Sequence, residues 1–312
     1  MQMRAARWLP LILEADPPIP MRTMHGLAVG DVDLDGRQEL IIGGHGGLLW
    51  YRPSTGERGV IAQGNDFTVG LAIEDIDGDG WPEVVTSEGR FAAHDWWITW
   101  YRPTADLAGP WERGVLDPAC YGLAHDIIFA DLDGDGRREM VANSVFCPLN
   151  GVFIYQPGED PLQPWQRHMV FGGVHAEGLA AADLTGDGRI EIVNGPDYFV
   201  APAAGPFSGQ WQRVVYAPDM RDMGRVLLGD ITGNGRPDIV FVESEYVDGR
   251  LSWFENRLGQ DAACPWVERP LEDGLVFAHS LDWWTDGLGS RFFLAEMEEG
   301  GWNQPYNHTA RL

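Results

Sequence analysis

The sequence predicts an all-β fold, a β-propeller, and three observations carry that prediction. An acidic nonapeptide recurs five times along the chain, short β-branched runs flank each copy, and aromatic-rich segments follow four of the flanked copies. Self-similarity at a period of about 50 residues, with four strand-like runs per period, is the signature of propeller blades.

The nonapeptides come first in the argument. They are 31–39 (DVDLDGRQE), 75–83 (DIDGDGWPE), 131–139 (DLDGDGRRE), 183–191 (DLTGDGRIE) and 230–238 (DITGNGRPD). Their first aspartates are spaced by 44, 56, 52 and 47 residues. Runs such as Ile127 to Ala130 precede the loops, and runs such as Leu40 to Ile42 and Ile239 to Val242 follow them. Short, β-branched and bounded by glycine, they are expected to be strands, so each nonapeptide closes a hairpin. Oxygen ligands at positions 1, 3, 5 and 9, with glycine at 6 for the sharp bend, suit a hard cation such as calcium. The expected ligands are Asp31, Asp33, Asp35 and Glu39; Asp75, Asp77, Asp79 and Glu83; Asp131, Asp133, Asp135 and Glu139; Asp183, Asp187 and Glu191; and Asp230, Asn234 and Asp238. The last loop, with Thr232 and Asn234, is the weakest of the five. The flanks are strands and the final acid falls at position 9, so these are not EF-hand loops.

The outer strands follow. Segments 49–52 (LWYR), 99–102 (TWYR), 153–155 (FIY) and 251–254 (LSWF) are each followed by a tryptophan-led run at Trp111, Trp165, Trp211 or Trp266. Six blades are favoured, with seven as the alternative. A decayed sixth copy begins at His279, and Trp8 to Leu13 is expected to close the ring as the strand that the last blade lacks. Closure of this kind leaves no open sheet edge. Residues 1–312 are therefore expected to form a single domain.

Composition bounds the partners. A net charge of −25 argues against nucleic acid and against anionic membrane surfaces, both of which attract basic patches. No apolar run has the length of a membrane span. Three cysteines, Cys120, Cys147 and Cys264, make no disulfide framework, which leans the expected location towards the cytoplasm.

Blade geometry also locates a second site. Residues entering the innermost strand and leaving the next one converge near the axis, on the face opposite the acidic loops. His25, His125, His175 with Glu177, Arg225 and His279 occupy the entry positions; His45, Glu88, Asp197, Glu243 and Glu245 lie on the exit side. Imidazole with carboxylate is a ligand set for zinc or another transition metal, so His125, His175, Glu177 and His279 are the expected axial ligands. His25, His125, His175, Tyr121 and Arg225 are candidate catalytic groups. His45, Asp197, Glu243 and Trp284 are candidate substrate contacts. The competing explanation is a wet polar channel lined by residues that bond only to their neighbours.

The repeats resemble the FG-GAP/VCBS repeats of calcium-binding propellers. Within that group, the His-Gly-Leu lead-in at His25 and the Trp-Tyr-Arg-Pro segments at Trp50 and Trp100 are similar to the propeller part of fungal aldos-2-ulose dehydratases. This resemblance implies a carbon–oxygen lyase acting on a small sugar or glycoside. A histidine-held metal would polarise a carbonyl, a spare His or Tyr would take the α-proton, and Arg225 would stabilise the enolate. That family carries large further domains without counterpart in these 312 residues. The alternatives are a lectin-like propeller and a calcium-stabilised scaffold for protein partners.

Overall fold

The computed structural model describes residues 17–90, 93–120, 122–145, 149–286 and 289–295, and they form a β-propeller-like, all-β fold. The first unit holds β1 (Arg22–Gly30), β2 (Glu39–Arg52) and the start of β3 (Glu57–Glu74). Although β2 is continuous, it is two arms. The Nε of Arg52 donates to Glu39 at 2.6 Å, whereas thirteen extended residues would span about 43 Å. The chain reverses at Gly46, whose φ of 98° a side chain would strain. The end of β3 begins the second unit, completed by β4 (Glu83–Arg90), β5 (Asp95–Pro103) and β6 (Trp111–Cys120).

Three four-stranded antiparallel units follow. They are β7 (Leu123–Ala130), β8 (Glu139–Val145), β9 (Gly151–Gln156) and β10 (Gln166–Gly172); β11 (Leu179–Ala182), β12 (Glu191–Asn194), β13 (Asp197–Val200) and β14 (Gln212–Val215); and β15 (Gly224–Gly229), β16 (Asp238–Glu243), β17 (Gly249–Asn256) and β18 (Trp266–Leu275). The described part of the sixth unit is the pair β19 (Ser280–Asp286) and β20 (Gly289–Ala295). Trp8 to Leu13, expected to close the ring, lies outside the described residues.

Each hydrophobic cluster lies between successive sheets. Ile76, Val85, Ile98 and Trp100 of the second unit meet Ile127, Met140, Phe153 and Tyr155 of the third. The same sandwich recurs between the first and second units, the third and fourth, and the fourth and fifth. This explains why β8 and β16 are buried along their whole length: each faces apolar neighbours on both sides. The recurring tryptophans belong to this packing. The indole N–H groups of Trp100, Trp111, Trp165 and Trp211 donate to backbone carbonyls, which settles the one polar atom of each ring.

Candidate functional site

All five acidic loops are built alike. The carboxylate at position 1 accepts from the N–H at position 6: Asp31 from Gly36, Asp75 from Gly80, Asp131 from Gly136, Asp183 from Gly188 and Asp230 from Gly235, at 2.8–3.0 Å. The side chain at position 5 accepts from the N–H at position 7 in each loop. The acid at position 9 is buried beneath the loop and accepts from the N–H at position 2. Its burial, reinforced by the aspartates above it, pushes Glu83, Glu139 and Glu191 up to about 7.

Among the described residues, three loops bring acid oxygens within 4.8 Å of one another: Asp31, Asp33 and Glu39; Asp75, Asp77 and Glu83; Asp131, Asp133 and Glu139. An all-oxygen donor set of this kind fits a hard divalent cation. The fourth and fifth loops assemble no such group, because Thr185 and Thr232 replace the aspartate at position 3.

The opposite face gathers the second set. Arg225 of β15 reaches across to β7, and its Nη1 donates to Asp126 Oδ1 at 2.9 Å. Its Nε donates to the carbonyl of His279 at 3.1 Å. The other oxygen of Asp126 lies 2.9 Å from His125 Nδ1 and accepts from the Gly178 N–H at 3.1 Å. His125 Nε2 lies 3.1 Å from Glu177 Oε1. His279 pairs with Glu245 at 2.7 Å, and His45 pairs with Asp66 at 3.1 Å while its ring meets that of His25 edge-on. Among the described residues, five units contribute to this polar cluster: the first, third, fourth, fifth and sixth.

Its electrostatics centre on His125. Burial opposes a charge on His125, yet Asp126 and Glu177 override it and raise the pKa to about 9. This favours the imidazolium form, with one ring nitrogen facing each carboxylate. Burial would raise the Asp126 carboxyl, but His125 and Arg225 hold it well below the usual range. His25 behaves oppositely. Burial and then His45, His125 and His279 lower its pKa, and among the described residues its buried Nε2 has no hydrogen-bond partner.

Two expected substrate contacts are structural. Asp197 is 1% exposed and pairs with Arg213 at 2.8 Å; Glu243 is equally buried and pairs with Arg221 at 2.6 Å. Glu88–Arg113 repeats the theme within the second unit, whereas Asp117–Arg167 ties β6 of the second unit to β10 of the third. His175 is half-buried beside Ala176. Tyr121 and the side chain of Trp284 lie outside the described residues. Sequence reasoning missed Asp126, although it adjoins His125, because only the folded chain shows that it meets Arg225.

Residues 31–86 and 75–142 match the FG-GAP-like repeat, so the chain carries FG-GAP-like repeats. No curated protein matches the sequence. Two solved structures are similar. The biofilm matrix protein Bap1 of V. cholerae is 19% identical with a TM-score of 0.46, over 74% of this chain and 38% of that one. An Agrocybe aegerita lectin, described in specific recognition of non-reducing terminal N-acetylglucosamine, is 17% identical with a TM-score of 0.47, over 79% of this chain and 65% of that one. This chain thus spans less than two thirds of the length of either. The narrower likeness to aldos-2-ulose dehydratases draws no support from these matches.

Proposed function

We propose that this chain is a sugar-binding propeller whose axial cluster receives a neutral saccharide. The observation that carries this reading is the chain of bonds Arg225–Asp126–His125–Glu177, at 2.9, 2.9 and 3.1 Å, which crosses three units. Its charges are matched within the cluster, and its planar donors and acceptors are fixed in place. A polyol hydroxyl donates to a carboxylate and accepts from a guanidinium, so such a cluster can replace the water around several hydroxyls at once. The net charge of −25 disfavours a polyuronate.

Titration calorimetry against neutral mono- and disaccharides, with a uronate polymer as comparison, tests the reading. Arg225→Ala should weaken binding at least tenfold, since it removes the guanidinium donors and one of the two cationic partners of Asp126. Equal affinity in parent and variant would refute the axial site. One observation favours a lyase as the second reading: the uncharged His25, with its unpartnered Nε2, is a base for proton abstraction beside a carbonyl. An unsaturated product released by the parent, and lost in His25→Gln while binding persists, would turn the reading from lectin to lyase.

A further inference from the structure

The cross-strand register sets a side chain directly opposite the buried acid at position 9 of each loop. In the second unit Val84 pairs with Tyr101, so Glu83 faces Arg102. In the third, Met140 pairs with Tyr155, so Glu139 faces Gln156. The same count places Val200 opposite Glu191 and Glu255 opposite Asp238. In the first unit the folded-back arm of β2 brings Arg52 to Glu39. Arginine therefore stands at this position in the first two units and in none of the next three.

Both arginines turn into their loops. Arg52 places Nε 2.6 Å from Glu39, Nη2 2.7 Å from Asp33 and Nη1 3.3 Å from Asp35, and its side chain is 9% exposed. Arg102 uses a single nitrogen: its Nη1 lies 3.2 Å from Asp77, 3.0 Å from Asp79 and 3.2 Å from Glu83. One cationic atom shared by three carboxylates fills the place that a bound ion would take. The third loop keeps the same four acids, yet among the described residues no basic side chain pairs with Asp131, Asp133, Asp135 or Glu139. A shallow cleft of about 140 Å³ opens beside it, lined by Asp131, Asp133, Arg189 and Pro206 among others.

We infer that the guanidinium groups of Arg52 and Arg102 are the resident cations of the first and second loops and exclude calcium from them. Calcium needs oxygens at about 2.3–2.6 Å, so it cannot share the space of a nitrogen already contacting those oxygens. Admitting the ion would require expelling a largely buried guanidinium and leaving it beside a divalent charge. The repeat signature alone, four acids and a glycine in register, therefore overstates the number of metal sites. The residue opposite position 9 decides between a metal loop and an arginine-closed loop.

Equilibrium dialysis with radioactive calcium, on the full chain, separates the cases. Arg52→Gln and Arg102→Gln install the residue of the third unit and should each add one tightly bound calcium per molecule. The reciprocal Gln156→Arg should weaken calcium binding at the third loop at least tenfold while the protein remains folded without calcium. Asp33→Asn and Asp77→Asn in the parent background should leave its calcium stoichiometry unchanged. A parent that loses one calcium with either of these asparagine variants, or glutamine variants that bind no more than the parent, would overturn the inference. If an arginine variant does not fold, the Gln156→Arg and aspartate arms still decide.

Discussion

With both ring nitrogens given to carboxylates, His125 keeps its proton across the neutral range, and this has a consequence for stability. Its folded pKa, about 9, is raised above the ordinary 6.5. A raised histidine pKa contributes stability that is fully present below the unfolded value and is lost as pH rises through the folded one. The window is therefore from about 6.5 to beyond 9. Denaturant unfolding at intervals across that range should show the parent losing its advantage over His125→Gln as pH increases. The imidazole Cε1–H resonance should titrate near pH 9; a midpoint near 6.5 would show that Glu177 and Asp126 do not hold the charge. Neighbouring His25 carries the opposite shift, so the cluster separates one charged from one uncharged imidazole within one ring of residues.

At the scale of the strand, the outer edge of each early unit shows why tryptophan recurs there. Trp50 faces Gly59 across the sheet and Trp100 faces Gly114, and in each pair the indole lies over the glycine. A methyl group at Gly114 would overlap the Trp100 ring, so Gly114→Ala should cost about 1–3 kcal/mol by overpacking. Gly158→Ala, with open space around it, should be near neutral in the same thermal melts. A Gly114→Ala protein as stable as its parent would place the ring elsewhere. The hairpins and their loops were readable before any coordinates because glycine spacing, alternation and acid position are local properties. Blade geometry, which fixes where strand ends meet, is what led the sequence to suggest an axial group of His25, His125, His175 and His279. Buried clamps such as Asp197–Arg213 misled the reading, since a strand-end carboxylate has the same sequence position whether it faces the axis or its own sheet. The roles of Arg52 and Arg102 were invisible for a related reason. They depend on which residue stands across the hairpin, and register becomes definite only once the strands are paired.

Among the described residues, the first six-stranded sheet spans two units, three four-stranded sheets follow, and a two-stranded pair ends the series. The sequence expectation that Trp8 to Leu13 supplies a missing strand leads to a direct test. Deleting residues 1–14 should lower the melting temperature of the entire molecule by several degrees or more, because an open sheet edge loses its partner. A truncated chain with the parent's melting temperature would mean that the ring closes in another way, or remains open. The same scale explains why the acids are tolerated. Seventeen of the 47 are confined to the five loops, where backbone N–H groups and, in two of them, a guanidinium offset their mutual repulsion.

The bond between Arg225 and Asp126 joins residues 99 positions apart and skips a unit. A linear array whose modules touch only their neighbours frays from its ends, each module melting by its own free energy and that of one interface. A strut across the middle changes that behaviour. The fifth module cannot peel away without stranding a charge in the third, so amide protons of β7 and β15 should exchange together, in one cooperative opening, while the loops between them exchange earlier. The strut also forms late in folding, because so long a loop must close first.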